Sequence, residues 1–456
     1  MDTPKDRPIL VAAAFSASGH MTPLLHISEH LVKRGFQVYF ITGAEFKASV
    51  EKIGATFVEN PFQWEQIYFT QAPKVHDETW VMKYIFGDAT PHTHRALKET
   101  LERVRREHPG CEVVILHESF AGGLGPFVCG APLPEGYTSL PKAIVFHSSV
   151  YASADDQTPP FGPGFRYDPT PENLALWRST REAMEPGYQG VVAHYNALYQ
   201  TLGATRPIKD DFLEFVLSLG DATVLATSPS LEYPIRNKPA RLRLIGGLPP
   251  KPVSPDFAYP VWWPTITSNA ALPAGDANKK RVVFVTQGTI HLDYSELLLP
   301  TLKALANRAD VIVVATLGAR GAELEKKPKD DPAWQLPSNA LVIDYLPYNA
   351  LLPYADVFVS NAGYGGFMHG VMNGVPMVLA GALADKGEVC ARAEFAGIAI
   401  NLAAQKPGED AIGQAVNRVL ADEKFKARAM ELKKENDEMD ALGTFEGIIW
   451  EMVGLK

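Results

Sequence analysis

The segment 9–42 reads ILVAAAFSASGHMTPLLHISEHLVKRGFQVYFIT. Its first part, 9–15, is continuously apolar, which is typical of a strand buried on both faces of a parallel sheet. A loop over 16–20 follows, Pro23 suits the first turn of a helix, and apolar residues then recur at helical spacing before a second strand at 37–42. This order of strand, helix and strand predicts a doubly wound α/β domain.

The same alternation recurs in both halves of the chain. Further strands are predicted over 113–116, 143–146, 224–226, 281–286, 311–316, 340–345, 357–360 and 377–380. Helices are predicted over 294–306 and 423–440, before a last segment at 444–453. Each half is therefore expected to be doubly wound on its own.

The segment 247–280 interrupts this alternation. Its prolines stand at 249, 250, 252, 255, 260, 264 and 273, and such a stretch is not expected to hold a regular helix. We interpret it as the linker between a first domain over 1–246 and a second domain over 281–440. The last residues, 441–456, are predicted to form a C-terminal helix that packs back towards the first domain.

Two facing doubly wound domains would form a cleft between them. Ligands of such sheets bind beyond the carboxyl ends of the strands, so the loops that follow the strands are predicted to line this cleft. The loops concerned come after Phe15, Leu116, Thr286, Ser360 and Ala380.

Composition and charge narrow the class of protein. With 456 residues, of which 46% are hydrophobic, the chain can bury two cores of ordinary domain size. A net charge of −9 argues against nucleic acid or an anionic membrane as the main partner, because both select for dense Lys and Arg. The 3 cysteines are scattered, which predicts neither a disulfide framework nor a zinc site. No stretch predicts a signal peptide or an integral membrane segment, and a cytoplasmic location is expected.

A glycine-rich turn at 360–366, Ser-Asn-Ala-Gly-Tyr-Gly-Gly, follows a short apolar strand and begins a helix. Such a turn exposes backbone N–H groups at the positive end of a helix dipole, which favours phosphate binding. Taken alone it is a weak signal, because glycines after a strand are also ordinary turn residues.

The wider neighbourhood of this turn resembles the donor-binding signature of the family 1 UDP-glycosyltransferases. That signature reads aromatic-x-Pro-Gln, then His-x-Gly, then Glu, then Gly-Val-Pro, then Asp or Glu followed by Gln. The matching residues here are Tyr345-Leu346-Pro347, Asn361, Gly363, His369, Gly374-Val375-Pro376 and Asp385-Lys386. Gly19-His20 near the start also matches, and looser similarity extends over nearly the whole chain. The fold implied is GT-B, in which two Rossmann-like domains face each other across a cleft.

The resemblance implies a role for each matching residue in binding a UDP-sugar. Tyr345 would stack on the uracil, while the backbone at Leu346 reads the edge of the base. Asp385 would accept hydrogen bonds from hydroxyls of the donor sugar. The diphosphate would be held by Asn361, Gly363, Gly365 and Gly366, with help from the loop at Gly288 and Thr289. Without the resemblance, Tyr345 would be interpreted as a core residue, Asn361 as a turn former and Asp385 as a helix cap.

Three positions depart from the family pattern. Asn361 replaces the usual His, His369 replaces the Glu that receives the ribose hydroxyls, and Lys386 replaces Gln. Asn can donate only a neutral hydrogen bond to phosphate, whereas Lys386 could restore a positive charge nearby. Related bacterial and fungal branches share such features, which weaken the inference to glucose and to uridine without indicating inactivity.

Gly19-His20-Met21-Thr22-Pro23 resembles the loop of the family that bears the catalytic base. Transfer to a hydroxyl requires a group that takes its proton, and His suits this task near neutral pH. The family pairs this His with an acid after a later strand. Here 113–116 is followed by His117-Glu118-Ser119-Phe120, where the acid-x-Phe pattern favours Glu118 and a count from the predicted strand end favours His117.

Aromatic residues predict where the acceptor binds. They crowd the region 62–86, which has poor helix or strand periodicity, and recur in a Pro/Gly-rich loop at 161–167. Mobile aromatic loops over a cleft suit flat apolar acceptors. We select Trp80, Tyr84, Phe120 and Phe161 as candidates, although a hydrophobic cluster beneath long loops would explain any one of them equally well.

The resemblance thus implies an inverting, metal-independent transferase that moves glucose from UDP-glucose to a hydroxyl of a phenolic, flavonoid or polyketide acceptor. It implies no prosthetic group, and we expect a monomer or weak dimer. Two alternatives are a non-catalytic homologue that binds a sugar nucleotide and a sugar-nucleotide epimerase on the same fold. A nicotinamide-dependent oxidoreductase would need Gly-x-Gly-x-x-Gly after the first strand, where 16–20 supplies one glycine.

Overall fold

The structure, a computed structural model, describes residues 7–73, 76–152, 155–209, 211–288, 293–324 and 334–454. Within these residues, seven parallel strands form a first sheet in the order β3-β2-β1-β4-β5-β6-β7. Their bounds are β1 Ile9–Ala13, β2 Val38–Thr42, β3 Thr56–Glu59, β4 Val113–Glu118, β5 Lys142–His147, β6 Ala222–Leu225 and β7 Leu242–Leu244.

A second parallel sheet contains six strands in the order β10-β9-β8-β11-β12-β13 within the described part of the chain. The strands are β8 Arg281–Thr286, β9 Val311–Thr316, β10 Ala340–Ile343, β11 Val357–Ser360, β12 Met377–Leu379 and β13 Ala399–Asn401. The two sheets confirm the predicted α/β class with two Rossmann-like domains.

Helices cover the faces of both sheets. Those before the second sheet are α1 Ser18–Lys33, α2 Lys47–Lys52, α3 Trp64–Gln71, α4 Glu78–Val81, α5 Asp88–Glu107, α6 Gly125–Val128, α7 Pro171–Thr201, α8 Phe212–Leu217 and α9 Trp263–Ala271. A π-helix, Met82–Gly87, joins α4 to α5. The later helices are α10 Leu298–Ala304, α11 Tyr348–Leu351, α12 Tyr364–Met372, α13 Lys386–Phe395, α14 Glu409–Ala421, α15 Glu423–Glu438 and α16 Ala441–Met452.

The strand order reverses at one point in each sheet. In the first sheet β1 lies beside β4, with Ala13 opposite His117, and in the second β8 lies beside β11, with Thr286 opposite Ser360. Loops that leave the two central strands diverge to opposite faces, which opens a crevice at the carboxyl ends of these strands. The fold therefore creates two crevices for ligands, one in each domain.

Strand alternation sets which side chains face which helix layer. All five residues of β1 are buried, as expected for a parallel strand covered on both faces. Leu10 packs in the same core as Leu24 and Ile27 of α1, whereas Val11 packs in the core that contains Leu97 and Leu101 of α5. Successive residues of each central strand therefore point to opposite helix layers.

Helix α1 begins earlier than the sequence predicted. The carbonyl oxygen of Ala17 accepts hydrogen bonds from the backbone of His20 at 3.0 Å and of Met21 at 2.9 Å, so the helix begins at Ser18 and Pro23 lies inside it. The predicted loop over 16–20 is therefore too long. As a result His20 stands in the first turn of a rigid helix.

The proline-rich segment 247–280 also differs from expectation. It contains helix α9, in which Pro264 lies near the N-terminus, where a missing N–H costs no hydrogen bond. Ile266 of this helix is fully buried against the core of the second sheet. The expectation of no regular helix was wrong here, because tertiary packing outweighs the proline content.

The short edge strands β3, β7 and β13 and the long helix α7 were missed by the sequence analysis, and the helix expected over 294–306 spans only Leu298–Ala304. At the C-terminus, Phe445 and Ile449 of α16 lie in the same core as Leu24 of α1 and Phe146 of β5. Among the described helices, none is both long and apolar enough to cross a membrane.

Candidate active site

A cavity of about 400 Å³ lies between the two sheets, a size that suits a small-molecule ligand. Segments that follow β1, β4, β5, β8, β11 and β12 all contribute to its walls. Its polar lining comprises His20, His76, Glu78, His147, Ser148, Ser149, Gln287, Asn361, Asp385 and Lys386. The two crevices thus open into one shared space.

His20 and Glu118 meet at the crevice of the first sheet. His20 Nδ1 lies 3.0 Å from Glu118 Oε1, and the carboxylate is fully buried while the imidazole is 24% exposed. Rings of Phe15, Phe86 and Phe120 surround the imidazole at centroid distances of 5.6, 5.4 and 6.0 Å. Because a carboxylate oxygen only accepts, Nδ1 carries the proton and Nε2 keeps a free lone pair.

Glu118 and His117 lie on opposite faces of the first sheet. Strand β4 extends to Glu118, and residues with the parity of Leu116 face α1, whereas those with the parity of Ile115 face the opposite layer. Glu118 therefore points towards His20, while His117 Nε2 accepts a hydrogen bond from the backbone of Leu124 at 3.3 Å. Burial lowers the pKa of His117 to about 4, so this imidazole is uncharged at neutral pH.

The contact between His20 and Glu118 shifts the pKa of each residue. Burial alone would lower the pKa of His20, but the charge and the hydrogen bond of Glu118, with the charge of Asp385, raise it above its usual value. Burial opposes ionisation of Glu118 as well, yet the interaction with His20 keeps the pKa of Glu118 below its usual value. The arrangement therefore stabilises an imidazolium next to a carboxylate.

The glycine-rich turn forms the crevice of the second sheet. Asn361 is 92% buried; its Nδ2 donates to the carbonyl oxygen of Gln287, which ties together the loops after β8 and β11. The amide nitrogen carries a second proton that this bond does not use. Ala362 has a φ of 61°, a strained value for a residue with a side chain, which is typical of a functional site. Gly288, Gly363, Gly365 and Gly366 all line the cavity beside Asn361.

Asp385 and Lys386 stand at the start of α13, beside the same turn. Asp385 accepts a hydrogen bond from Ser149 Oγ of the first domain, and burial raises the pKa of this carboxyl. Lys386 lines the cavity and is only 8% exposed, and burial lowers its pKa to about 8. Among the described residues, none lies within hydrogen-bond distance of its Nζ. A buried amine without a partner is suited to an anionic ligand.

The residues implied for the nucleoside lie outside the cavity lining. The guanidinium of Arg320 covers one face of the Tyr345 ring at 4.4 Å, so only the opposite face is left for a base. Leu346 is buried, and His369 Nδ1 lies 3.1 Å from Asn349 Oδ1, with burial lowering the pKa of His369 to about 4. Thr289 lies outside the described residues.

The apolar wall of the cavity differs partly from the predicted one. Phe120 and Phe161 line it, together with Phe15, Trp64, Tyr68, Val81, Met82, Ile85 and Phe86. Trp80 and Tyr84 do not: their rings pack on each other at 5.4 Å, and Tyr84 also contacts His194 of α7. These two residues therefore lie outside the cavity lining, whereas Val81 and Ile85, before and within the π-helix, belong to it.

A loop of the first domain covers the start of α13. The backbone N–H groups of Gly162 and Gly164 donate to Glu388 Oε1 at 2.9 and 2.8 Å. Glu388 in turn pairs with Arg392 at 2.9 Å, and Arg392 pairs with Glu232 of the first domain at 2.9 Å. These buried charges connect the two domains next to the cavity.

Ser149 and His147 are site residues that the sequence analysis missed. Both follow the strand predicted over 143–146, and the loop after that strand was left out of the predicted cleft lining. The rule applied to the other strands would have included it. In contrast, no local sequence signal distinguishes Glu78, which pairs with His76 at 3.0 Å, from an ordinary surface acid.

The residues that the structure describes contain no group of three or more His, Cys, Asp or Glu side chains able to hold a metal ion. Lys386 and the N-terminal end of α12 bring positive charge to the glycine-rich turn.

Comparison with known proteins shows which family model and which relatives this chain resembles. The family model "Erythromycin biosynthesis protein CIII-like, C-terminal domain" matches residues 304–441. UDP-glucosyltransferase 1 of Beauveria bassiana (strain ARSEF 2860) is 40% identical over 446 residues, covering 96% of this chain and 94% of that protein. UDP-glucosyltransferase B1 of Starmerella bombicola is 30% identical over 463 residues, covering 98% and 99%.

The fold has a close counterpart among solved structures. The glycotransferase of kitacinnamycin is similar with a TM-score of 0.70 over 99% of this chain and 100% of that one, at 20% sequence identity. At this identity the likeness concerns the two-domain architecture.

Proposed function

The chain belongs to the family 1 UDP-dependent glycosyltransferases with the GT-B fold, and on that premise we propose that it transfers glucose from UDP-glucose to a hydroxyl of a small apolar acceptor. The acceptor class proposed is a phenolic, flavonoid or polyketide. The observation that carries the proposal is the 3.0 Å contact of His20 with Glu118 in a cavity shared with Asn361, Asp385 and Lys386.

His20 acts as general base in the proposed reaction. Its Nε2 takes the proton of the acceptor hydroxyl while the acceptor oxygen forms a bond to the anomeric carbon. The bond from that carbon to the β-phosphate oxygen breaks, and UDP leaves with the electron pair. Glu118 holds the imidazole through Nδ1 and stabilises the imidazolium that forms. A single displacement of this kind inverts the configuration of the anomeric carbon.

The leaving diphosphate gains negative charge as this bond breaks. This charge is stabilised by Lys386 Nζ, by the second amide proton of Asn361 and by the backbone N–H groups at Gly365 and Gly366. Helix α12 begins at Tyr364, so its positive dipole end also faces this site. In the folded site these donors are already oriented, which lowers the cost of charge development.

Further residues are proposed to bind the sugar and the base of UDP-glucose and the body of the acceptor. Asp385 is proposed to bind hydroxyls of the sugar, since its carboxylate lines the cavity near His20. The uracil would stack on the face of Tyr345 opposite Arg320. The apolar walls at Phe120 and Phe161 favour an acceptor with a flat hydrophobic body.

Product analysis tests the function. With UDP-glucose, a phenol or an aliphatic alcohol, and excess EDTA, we expect a β-glucoside, identified by the anomeric proton coupling in the NMR spectrum. An α-glucoside would contradict the single displacement, and strict magnesium dependence would contradict charge stabilisation by the protein alone. Free sugar released at an equal rate without acceptor would favour the epimerase alternative.

Lys386 provides a test of the donor site. We expect Lys386→Gln to raise the KM for UDP-glucose and to change the preference among UDP-glucose, UDP-galactose and UDP-N-acetylglucosamine. The pKa of about 8 predicts that kcat/KM for the donor falls as pH rises through 8 in the native enzyme, since the amine loses its charge. This alkaline decline should be absent in the variant.

A matched control for this substitution is Lys406→Gln. Lys406 lies at the surface, 55% exposed, in an ion pair with Asp293 at 2.8 Å. It should leave donor kinetics unchanged. If Lys386→Gln behaves like this control, Lys386 does not contact the donor.

A further inference from the structure

A buried series of polar contacts extends from His20 to His147, another histidine of the cavity. His20 Nδ1 contacts Glu118 Oε1 at 3.0 Å, and Ser119 Oγ lies 3.0 Å from the same carboxylate oxygen. Ser119 Oγ also lies 2.9 Å from His147 Nδ1, while His147 Nε2 lies 3.1 Å from the carbonyl oxygen of Val150. Glu118, Ser119 and His147 are each at least 95% buried, so these contacts are shielded from bulk solvent.

Ser119 has a single hydroxyl proton and cannot donate it to both of its neighbours in this series of contacts. The carbonyl of Val150 can only accept, so His147 Nε2 carries a proton. Ser119 has one hydroxyl proton and two neighbours that can accept it, His147 Nδ1 and Glu118 Oε1. Which neighbour receives it depends on whether His147 Nδ1 is protonated.

A neutral His147 resolves the conflict in one direction. Burial lowers the pKa of His147 to about 4, so at neutral pH the ring has a single proton, on Nε2. Nδ1 can then accept from Ser119, and in that arrangement the hydroxyl that would otherwise donate to Glu118 Oε1 at 3.0 Å donates to the imidazole. In that arrangement the side chains that donate to Glu118 are His20 and, at the longer distance of 3.5 Å, Ser148 Oγ, and the backbone of Phe120 also donates to the carboxylate.

We propose that His147 is a positioning residue. It accepts the hydrogen bond from the Ser119 hydroxyl, so Ser119 does not donate to Glu118 and the carboxylate charge acts on His20. A hydrogen bond from Ser119 to the carboxylate would compete with His20 and weaken the stabilisation of the imidazolium. The inference rests on the proposed role of His20 as base. The titratable groups that face His20 are Glu118 from β4, His147 from β5 and Asp385 from the turn before α13.

The first test uses His147→Phe, which keeps a ring beside Phe120 but offers no acceptor. The proton of Ser119 should then turn to Glu118 and lower the pKa of His20. Because the reaction needs neutral His20, the acid limb of the kcat/KM profile reports this pKa in the free enzyme. We expect that limb to move to lower pH by about half to one unit, as a new charge-assisted hydrogen bond would cause.

Ser119→Ala separates this role from a merely structural one. In the native background it removes a proton that Glu118 does not receive, so the acid limb should stay where it is. In the His147→Phe background it removes the competing proton, so the limb should return to its native position. A loss of rate without a shift of the limb, or a shift that Ser119→Ala fails to reverse, would overturn the proposal.

A spectroscopic measurement needs neither variant nor activity. In the native protein labelled with ¹⁵N-histidine, His147 should show a protonated Nε2 and an unprotonated Nδ1 at pH 7. A doubly protonated ring, or a proton on Nδ1, would disprove the inference even if the variants fail to fold. This NMR measurement does not depend on turnover, so the inference can fail while the proposed function holds. Failure of the proposed function would appear as full activity of His20→Ala.

Discussion

Replacing His20 by alanine is expected to lower kcat for an aliphatic alcohol acceptor by about 10²- to 10⁴-fold, the usual contribution of a positioned general base. Such an alcohol is a weak acid, and its proton must leave as the new bond forms. Alanine removes the acceptor for that proton and leaves Glu118 buried without its partner. Steady-state kinetics should show a KM for UDP-glucose close to the native value, because Asn361, Asp385 and Lys386 belong to the other domain.

His30→Ala is the matched control for this prediction. His30 lies on the same helix α1, outside the cavity lining, and contacts Glu446 of α16 at 3.2 Å. Its removal should leave kcat within about a factor of ten of native, since no reacting group depends on it. If His20→Ala keeps more than about a tenth of the native rate on the alcohol, another group is the base. A phenol is less informative, because it ionises more readily.

The sequence was most informative where local chemistry and fold periodicity agree. The apolar run at 9–15 and the turn at 360–366 predicted strands β1 and β11 and the crevices beside them. The placement of Glu118 on the side of His20 could have been predicted from the sequence too. Parity along 113–118 assigns Glu118 to the face of Leu116 and thus to α1, but the predicted strand ended too early for this count.

Features that depend on tertiary packing could not be read in this way. Trp80 and Tyr84 resemble cavity residues in composition, yet the π-helix at Met82–Gly87, which no periodicity indicates, turns them towards α7. Helix α9 forms despite the prolines around it, because Ile266 is buried against the second core. The Ser149 contact with Asp385 joins residues 236 positions apart, so only the folded chain reveals it.

Arg392→Ala is expected to destabilise the protein by about 3–5 kcal/mol, the typical cost of removing one partner from a buried ion pair. The guanidinium contacts Glu232 and Glu388 at 2.9 Å each, and all three side chains are at most 3% exposed. Without it, two carboxylates lie buried without a counter-charge. Chemical denaturation at pH 7.5 should show an earlier loss of the contact between the domains, and the loop at Gly162 that Glu388 holds should loosen.

The dependence of this effect on pH identifies its cause. Burial already raises the pKa of Glu232 above its usual value, and loss of Arg392 should raise it further. A carboxyl with a raised folded pKa contributes stability that is present at low pH and is lost as pH rises through that value. The deficit of Arg392→Ala should therefore shrink as pH falls from 7.5 to about 5.5.

Two comparisons separate the buried charges from a general effect of losing an arginine. Arg166→Ala removes an ion pair with Glu394 in which the arginine is 67% exposed, and it should cost at most about 1 kcal/mol. The triple variant Arg392→Met, Glu232→Gln, Glu388→Gln removes all three charges but keeps acceptors for Gly162 and Tyr151, so it should regain much of the stability. If Arg392→Ala and Arg166→Ala unfold at the same denaturant concentration, the triad does not stabilise the closed arrangement of the two domains. A triple variant more stable than the single variant Arg392→Met, which has the same side chain at this position, would show that the cost lies in the uncompensated carboxylates.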